Sequence, residues 1–460
     1  MTKDSEPKNN ERQAAPPVWE AVVARYEEPS VWRSVWQLAN TLVPYAALWY
    51  LMYRSLAVSY WLTLPLAILA SGFLVRVFII SHDCGHGSFF RSHKANDIVG
   101  SITGTLSFTP YFHWRWEHAV HHSSSGDLDR RGKGDVWTLT VQEYLESSRW
   151  KRFAYRLTRN PFVLFVVAPL FLFLVKERFP TAGAGPRERR SVLWTNLALL
   201  ALAASLSWVL GLRAYLLIQL TLLTIAGTAG VWLFYVQHQF EGVYWERAEE
   251  WDYTTAALKG SSFYKLPGLL QWFSGNIGFH HIHHLSPSIP NYNLPKCHQA
   301  EPLFQTVKPV TLFSSLKALT FRLWDERRQK LVGYGALKPI HRWNAFAFQQ
   351  VVQREISAPD FSVQVELQPA QEQVWMRLAG PLSAAGAEGL GRRIRDSLAR
   401  TKNRLVLDLD KLHWDRVDDL QPLREKLAAY RSRIRLILPK LAAAHPEVIL
   451  LASMFQHYKG

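Results

Sequence analysis

Residues 58–87 read VSYWLTLPLAILASGFLVRVFIISHDCGHG, an apolar run that ends on two histidines four positions apart. Roughly 20 apolar residues are needed to carry a helix across the hydrocarbon core of a membrane, and this run supplies them. Positions three and four apart share one face of a helix, so His82 and His86 can reach a single metal ion. The stretch predicts a membrane helix that delivers imidazoles to one surface of the bilayer.

Working outward, residues 36–53, 192–212 and 215–236 also qualify as spans, giving four in all. The run 162–175 is shorter and contains Pro169, which fits a re-entrant or interfacial segment. Residues 98–112, interrupted by Gly100, Gly104 and Pro110, read as interfacial too. Lys176, Arg178, Arg187, Arg189 and Arg190 precede the third span, and Lys3, Lys8, Arg12, Arg25 and Arg33 precede the first. The positive-inside rule places both groups, and with four spans both termini, in the cytoplasm. Residues 1–17 lack the apolar core of a secretory signal, so insertion falls to the first span. The two hairpins then return to the cytoplasmic face just before His82 and just before His238.

The chain has 460 residues, 19 Trp, 24 Phe and a formal charge of +16. The aromatic content suits membrane interfaces and acyl chains. A basic surface draws nucleic acid, anionic headgroups or an acidic protein, and the apolar spans favour the last two over nucleic acid. Cys84 and Cys297 form neither a zinc spacing nor a disulfide framework.

Two more clusters repeat the helical spacing: His118, His121 and His122 in EHAVHH, and His280, His281, His283 and His284 in FHHIHH. An all-imidazole shell without thiolate argues against a structural zinc finger and leaves redox iron as the leading candidate. A lone buried histidine is more often a hydrogen-bonded core residue than a ligand. Three clusters delivered to one face do not fit that reading. His238, in VQHQFE, closes the fourth span on the same side. Asp83, Asp127, Asp129 and Asp135 lie where carboxylates could orient the imidazoles, with solvated loop acids an equal alternative for the last three.

HDCGH, HAVHH and GNIGFHHIHHLSPSIPNYNL together resemble the three histidine boxes of membrane fatty-acid desaturases, most closely the bacterial and plastid acyl-lipid type, omega-6-like. The resemblance covers residues 32–328. It implies a mainly α, four-span desaturase fold with a cytoplasmic helical cap over residues 31–335, after a polar tail at 1–30. It also implies nine iron ligands: His82, His86, His118, His121, His122, His238, His280, His283 and His284. His281 falls between box positions and is expected to be structural or supporting, while His93, His113 and His298 are outside the pattern. Asn276 is a candidate for an amide contact to metal-bound water. The implied cofactors are two iron ions with O2 as co-substrate, and the implied product is a cis double bond in an acyl chain. A bacterial inner membrane follows from the same likeness. No haem or iron–sulfur motif is present, so a separate ferredoxin or b-type cytochrome is implied as electron donor. A hydroxylase of lipids, alkanes or carotenoids on the same scaffold is the first alternative. A metal transporter or receptor is the second, disfavoured because the spans hold few ionisable groups apart from Arg76.

After a linker at 336–360 the pattern changes. Residues 363–367, 374–378, 404–409 and 434–438 read as strands, and 384–401 and 420–432 as helices. This small α/β domain, 361–460, resembles a STAS domain through VWMRLAGPLS and RLVLDLDKL. Where switched members of that family carry a hydroxyl residue, this sequence has Trp414 to Asp419 without one, so a docking or regulatory role is expected rather than a phosphorylation switch, with a plain stabilising appendage an equal alternative.

Overall fold

The computed structural model describes residues 18–132, 134–337, 361–368, 373–399, 404–413, 420–437 and 456–457. The chain divides into two compact units, Met1–Trp137 with Phe153–Leu319, and Thr138–Arg152 with Thr320–Gly460.

In the first unit, α1 (Val31–Leu56) starts at Ser30, whose side chain accepts from the amide of Arg33 at 3.5 Å. Helix α2 (Tyr60–His86) runs through the predicted span and stops at Gly87, whose φ of 73° is left-handed. Glycine enters that conformation without the clash a side chain would bring, so the helix ends just after His86. Helix α3 (His93–Leu106) follows, capped by Ser92. Helix α4 (Tyr111–Ser124) begins with Tyr111, whose ring occupies the space a side chain at Gly100 would need and whose hydroxyl donates to the Cys84 carbonyl at 2.8 Å. Both glycine and ring are required for α3 and α4 to pack this closely.

The short helix α5 (Ala168–Leu174) sets Pro169 against Gly227. Helices α6 (Pro186–Leu210) and α7 (Leu212–His238) form the second hairpin, turned at Gly211. Helix α8 (Tyr253–Gly260), capped by Asp252, packs against α9 (His280–Leu285).

Among the described residues three helices, α2, α6 and α7, are long and apolar enough to cross a membrane, or four if Arg149–Thr158 and Val163–Arg178, bent by 66°, count as one. The expected first span does form a 26-residue helix, α1. Its buried stripe, however, starts with Ser34, Gln37 and Thr41 before turning apolar at Tyr45, Leu48 and Met52, and this dilutes its hydrophobicity. Arg76, the ionisable residue inside α2, is clamped: its Nε donates to Thr41 at 3.1 Å, a terminal nitrogen donates to the Trp272 carbonyl, and the guanidinium lies 4.0 Å from the Trp272 ring centroid.

The second unit carries a five-stranded sheet of β1 (Ser362–Gln368), β2 (Gln373–Pro381), β3 (Arg404–His413), β4 (Ile434–Ile437) and β5 (Gln456–His457), in the order β5-β4-β3-β2-β1. Only β1 and β2 are antiparallel; the remaining pairs are parallel. Helices α10 (Ala384–Ala399) and α11 (Gln421–Leu427) pack on each other, and Leu390, Ile394, Leu423 and Leu427 join Leu405 and Leu407 in the core. The expected α/β pattern is therefore present, shortened in its last helix by a 3-10 turn at Ala428–Arg433. Residues 414–419 lie outside the described residues. A second sheet in this unit joins Leu139–Thr140 to Leu323–Asp325 and Lys330–Val332.

Candidate metal centre

The nine histidines singled out in the sequence sit on four helices and meet in one buried cluster. His82 and His86 come from the end of α2, His118, His121 and His122 from α4, His238 from the end of α7, and His280, His283 and His284 from α9. Eight of them fall into two quartets. One is His82, His86, His118 and His283; the other is His121, His238, His280 and His284; within each, the ligand nitrogens lie within 4.8 Å of one another. His122 stands between them, its Nε2 3.1 Å from those of His118 and His283 and its ring stacked on His284 at 4.1 Å between centroids.

The chemistry of the donor set fits a pair of metal ions. Nε2 atoms approach at 3.2 Å between His121 and His238, and at 3.0 Å both between His238 and His280 and between His280 and His284. Imidazoles bound at about 2.1 Å and near right angles to one another would have nitrogens spaced this way. Nε2 of His86 is buried without a hydrogen-bond partner, which a structural histidine does not explain. Burial first, and neighbouring imidazoles second, push His118, His122, His280, His283 and His284 well below the usual histidine range. They are neutral at physiological pH, the form that ligates metal.

The outer nitrogens are held as ligands require. His82 Nδ1 donates to Asp83 at 3.1 Å, and His121 Nδ1 donates to Asp135 at 2.7 Å. Carboxylates accept only, so each bond fixes the tautomer that turns Nε2 inward. Gly134, at φ 70°, lets this loop pass against the Cβ of His121. His238 Nδ1 donates to the Gly260 carbonyl at 3.2 Å. Of the four candidate acids, Asp127 instead accepts from the amides of Asp129 and Arg130, and Asp129 pairs with Arg247 at 2.6 Å. His281 turns away from the cluster towards Phe263 and His298. Asn276 sits at φ 57° and donates to the Asn291 carbonyl at 3.1 Å. Asn291, part of the third motif but not singled out within it, holds Asp83 through its amide and side chain at 2.7 Å each. A separation of 208 positions left no local signal for that contact.

A cavity of about 250 Å³ opens beside both quartets, lined by His82, His118 and His280 at one end. It continues between α2, α5 and α7 past Phe78, Phe173, Gly227 and Leu74 to Leu223. This apolar bore suits an alkyl chain.

Residues 59–310, more than half of the chain, match the family model described as Fatty acid desaturase. The chain is 50% identical over 318 residues to a fatty acid desaturase of Bacillus subtilis (strain 168), covering 90% of that protein and 69% of this one. It is 28% identical over 272 residues to an sn-1 acyl-lipid omega-3 desaturase (ferredoxin) of Nostoc sp. (strain 36), covering 68% of the relative and 54% of this chain. The corresponding enzyme of Synechocystis sp. is 26% identical over 271 residues, again covering 68% of the relative and 54% of this chain. A buried imidazole cluster opening on an apolar bore, in a chain with these relatives, belongs to the fatty acid desaturase family of oxygen-dependent oxidoreductases.

Proposed function

We propose that the protein is an integral-membrane acyl-lipid desaturase that holds two irons on His82, His86, His118, His121, His122, His238, His280, His283 and His284 and places a cis double bond in an acyl chain. The observation that carries the reading is the pair of imidazole quartets at the head of an apolar cavity. Bound there, the irons would supply reduction of dioxygen and removal of two hydrogens from adjacent methylenes, which no side chain performs alone. His82, His118 and His280 line the cavity and face a chain lying in it. Asp83 and Asp135 hold His82 and His121 in their inward tautomers through any change in charge at the cluster. Phe78, Trp114 and Phe234 exclude water from the bore, so that hydrogen is taken from the substrate and not from solvent.

Four spans (α1, α2, α6 and α7) place the ends of α2 and α7, and with them the cluster, on the cytoplasmic side of a bacterial inner membrane. The basic loops beside α1 and α6 support this orientation. Electrons come from a separate acidic carrier; the names of two relatives specify ferredoxin for those enzymes. Residues 31–335 make the catalytic domain and 361–460 a STAS-like domain that docks a regulatory partner, a reading supported by the mixed sheet and its two packed helices.

Expression in a host whose lipids are saturated, followed by mass spectrometry of total fatty acids, tests the reaction. A new double bond is the expected result. A hydroxylated lipid instead would assign the same site to hydroxylation, and an unchanged profile with iron loaded and a competent donor would overturn the acyl substrate.

A further inference from the structure

The cavity is lopsided. It follows α7 from Gln237 to Leu223, roughly 20 Å at the helical rise. Its far end is apolar, whereas Glu117, Lys176 and Glu177 line it near His118. Glu117 is satisfied, accepting from the Thr181 hydroxyl at 2.7 Å and pairing with Lys176 at 3.5 Å. Glu177 is not. It is 4% exposed and its Oε2 has no hydrogen-bond partner. With Nε2 accepting the Thr181 amide at 3.0 Å, the neutral His113 nearby carries its proton on Nδ1, which at 4.0 Å is too far away to hydrogen-bond Oε2. A buried, unpaired carboxyl on a cavity wall is costly unless something in the cavity meets it.

We propose that Glu177 recognises the carbonyl of the substrate: its acid O–H donates to the carbonyl oxygen of an acyl ester or thioester, whose alkyl chain runs past His82 and His280 towards Leu223. The inference rests on the desaturase reading above. Burial pushes Glu177 up to about 7; Lys176 and Arg178 oppose that rise, and Glu117 adds to it. The donor form is therefore populated at neutral pH and lost above it. The carbonyl end lies beside His118 and the methyl end is buried deepest. The position oxidised is then counted from the carbonyl, and lengthening the chain at its methyl end leaves it unchanged.

The test uses iron-loaded, full-length enzyme in lipid nanodiscs with an electron donor, and compares a palmitoyl ester lipid with the same lipid carrying an alkyl ether. Wild type is expected to favour the ester about tenfold in kcat/KM, the effect of one hydrogen bond to a buried group. Glu177→Gln should keep that preference through its amide N–H at every pH, while in wild type it fades as pH rises past about 7. Glu177→Leu should reduce it to about twofold or less, for the same reason. Supplying the acyl group as a coenzyme A thioester separates the two carrier classes. Palmitoyl and stearoyl substrates should carry the double bond at the same distance from the carbonyl. Equal use of ester and ether by wild type, which needs no variant to fold, overturns the role of Glu177, as does a double bond fixed from the methyl end. The desaturase reading fails only if wild type makes a double bond in neither lipid, and the present inference fails with it.

Discussion

The interiors of the two units differ in what they bury. In the first, His82, His121, His122, His238, His280, His283 and His284 are all buried, alongside Asp83 and Asp127. In the second, among the described residues from 361 to 437, Gln373 is the one buried polar side chain, and the core is Leu, Val, Ile, Met, Ala and Phe. Burying ionisable groups costs free energy that an aliphatic core avoids. The first unit therefore carries its chemistry inside, at the expense of simple packing. The sheet of the second is packed by aliphatic side chains among its described residues, an interior suited to holding a fold.

Substitution within the cluster should sharpen that contrast most. His283→Ala, which removes a ring from one quartet, is expected to lower desaturation at least a thousandfold, in keeping with loss of a metal ligand in a site whose members act as a unit. Iron content by plasma mass spectrometry should fall with it, while the C-terminal sheet stays folded. Retained activity would remove His283 from the ligand set.

Leu407→Ala is the converse experiment. It hollows a fully buried position of β3 and should cost the second unit about 2–5 kcal/mol in a denaturant titration. Desaturation should stay within about twofold of wild type, as expected of two independent sites. A parallel loss of activity would mean that the two interiors are energetically linked, and the contrast would break.

A smaller effect is expected from Asp135→Asn, which weakens the hold on His121 without removing a ligand. Iron affinity, measured by competition with a chelator, should drop about 10–100-fold, the usual result of losing the partner of a ligating imidazole. Smallest of all is Lys317→Met. The 3.1 Å pair with Glu241 is exposed on both sides and should contribute less than about 1 kcal/mol to the first unit. A larger loss would show that its surface electrostatics matter more than its interior.

The sequence made the cluster legible because three of the four helices contribute histidines at a local period, four apart in α2 and three and four apart in α4 and α9, while α7 adds His238 alone. Alternation likewise located β1 to β4. What escaped depends on distant contacts. Asp135 was one of four acids with nothing to single it out, since its role is set by a glycine turn pressed on His121. Asn291 and Glu177 matter only through neighbours brought by tertiary packing. The strand Leu139–Thr140 is two residues long and pairs with Leu323–Trp324 far along the chain, below any local signal. The polar stripe of α1 explains why a helix appeared where a span was read but with weaker apolar character.

Each quartet mixes early and late parts of the chain: His82, His86 and His118 need His283, and His121 and His238 need His280 and His284. Because synthesis runs from the N-terminus, a chain made only as far as α7 has neither quartet closed. A metal that needs all four imidazoles of a quartet would then find its site whole only once α9 has docked.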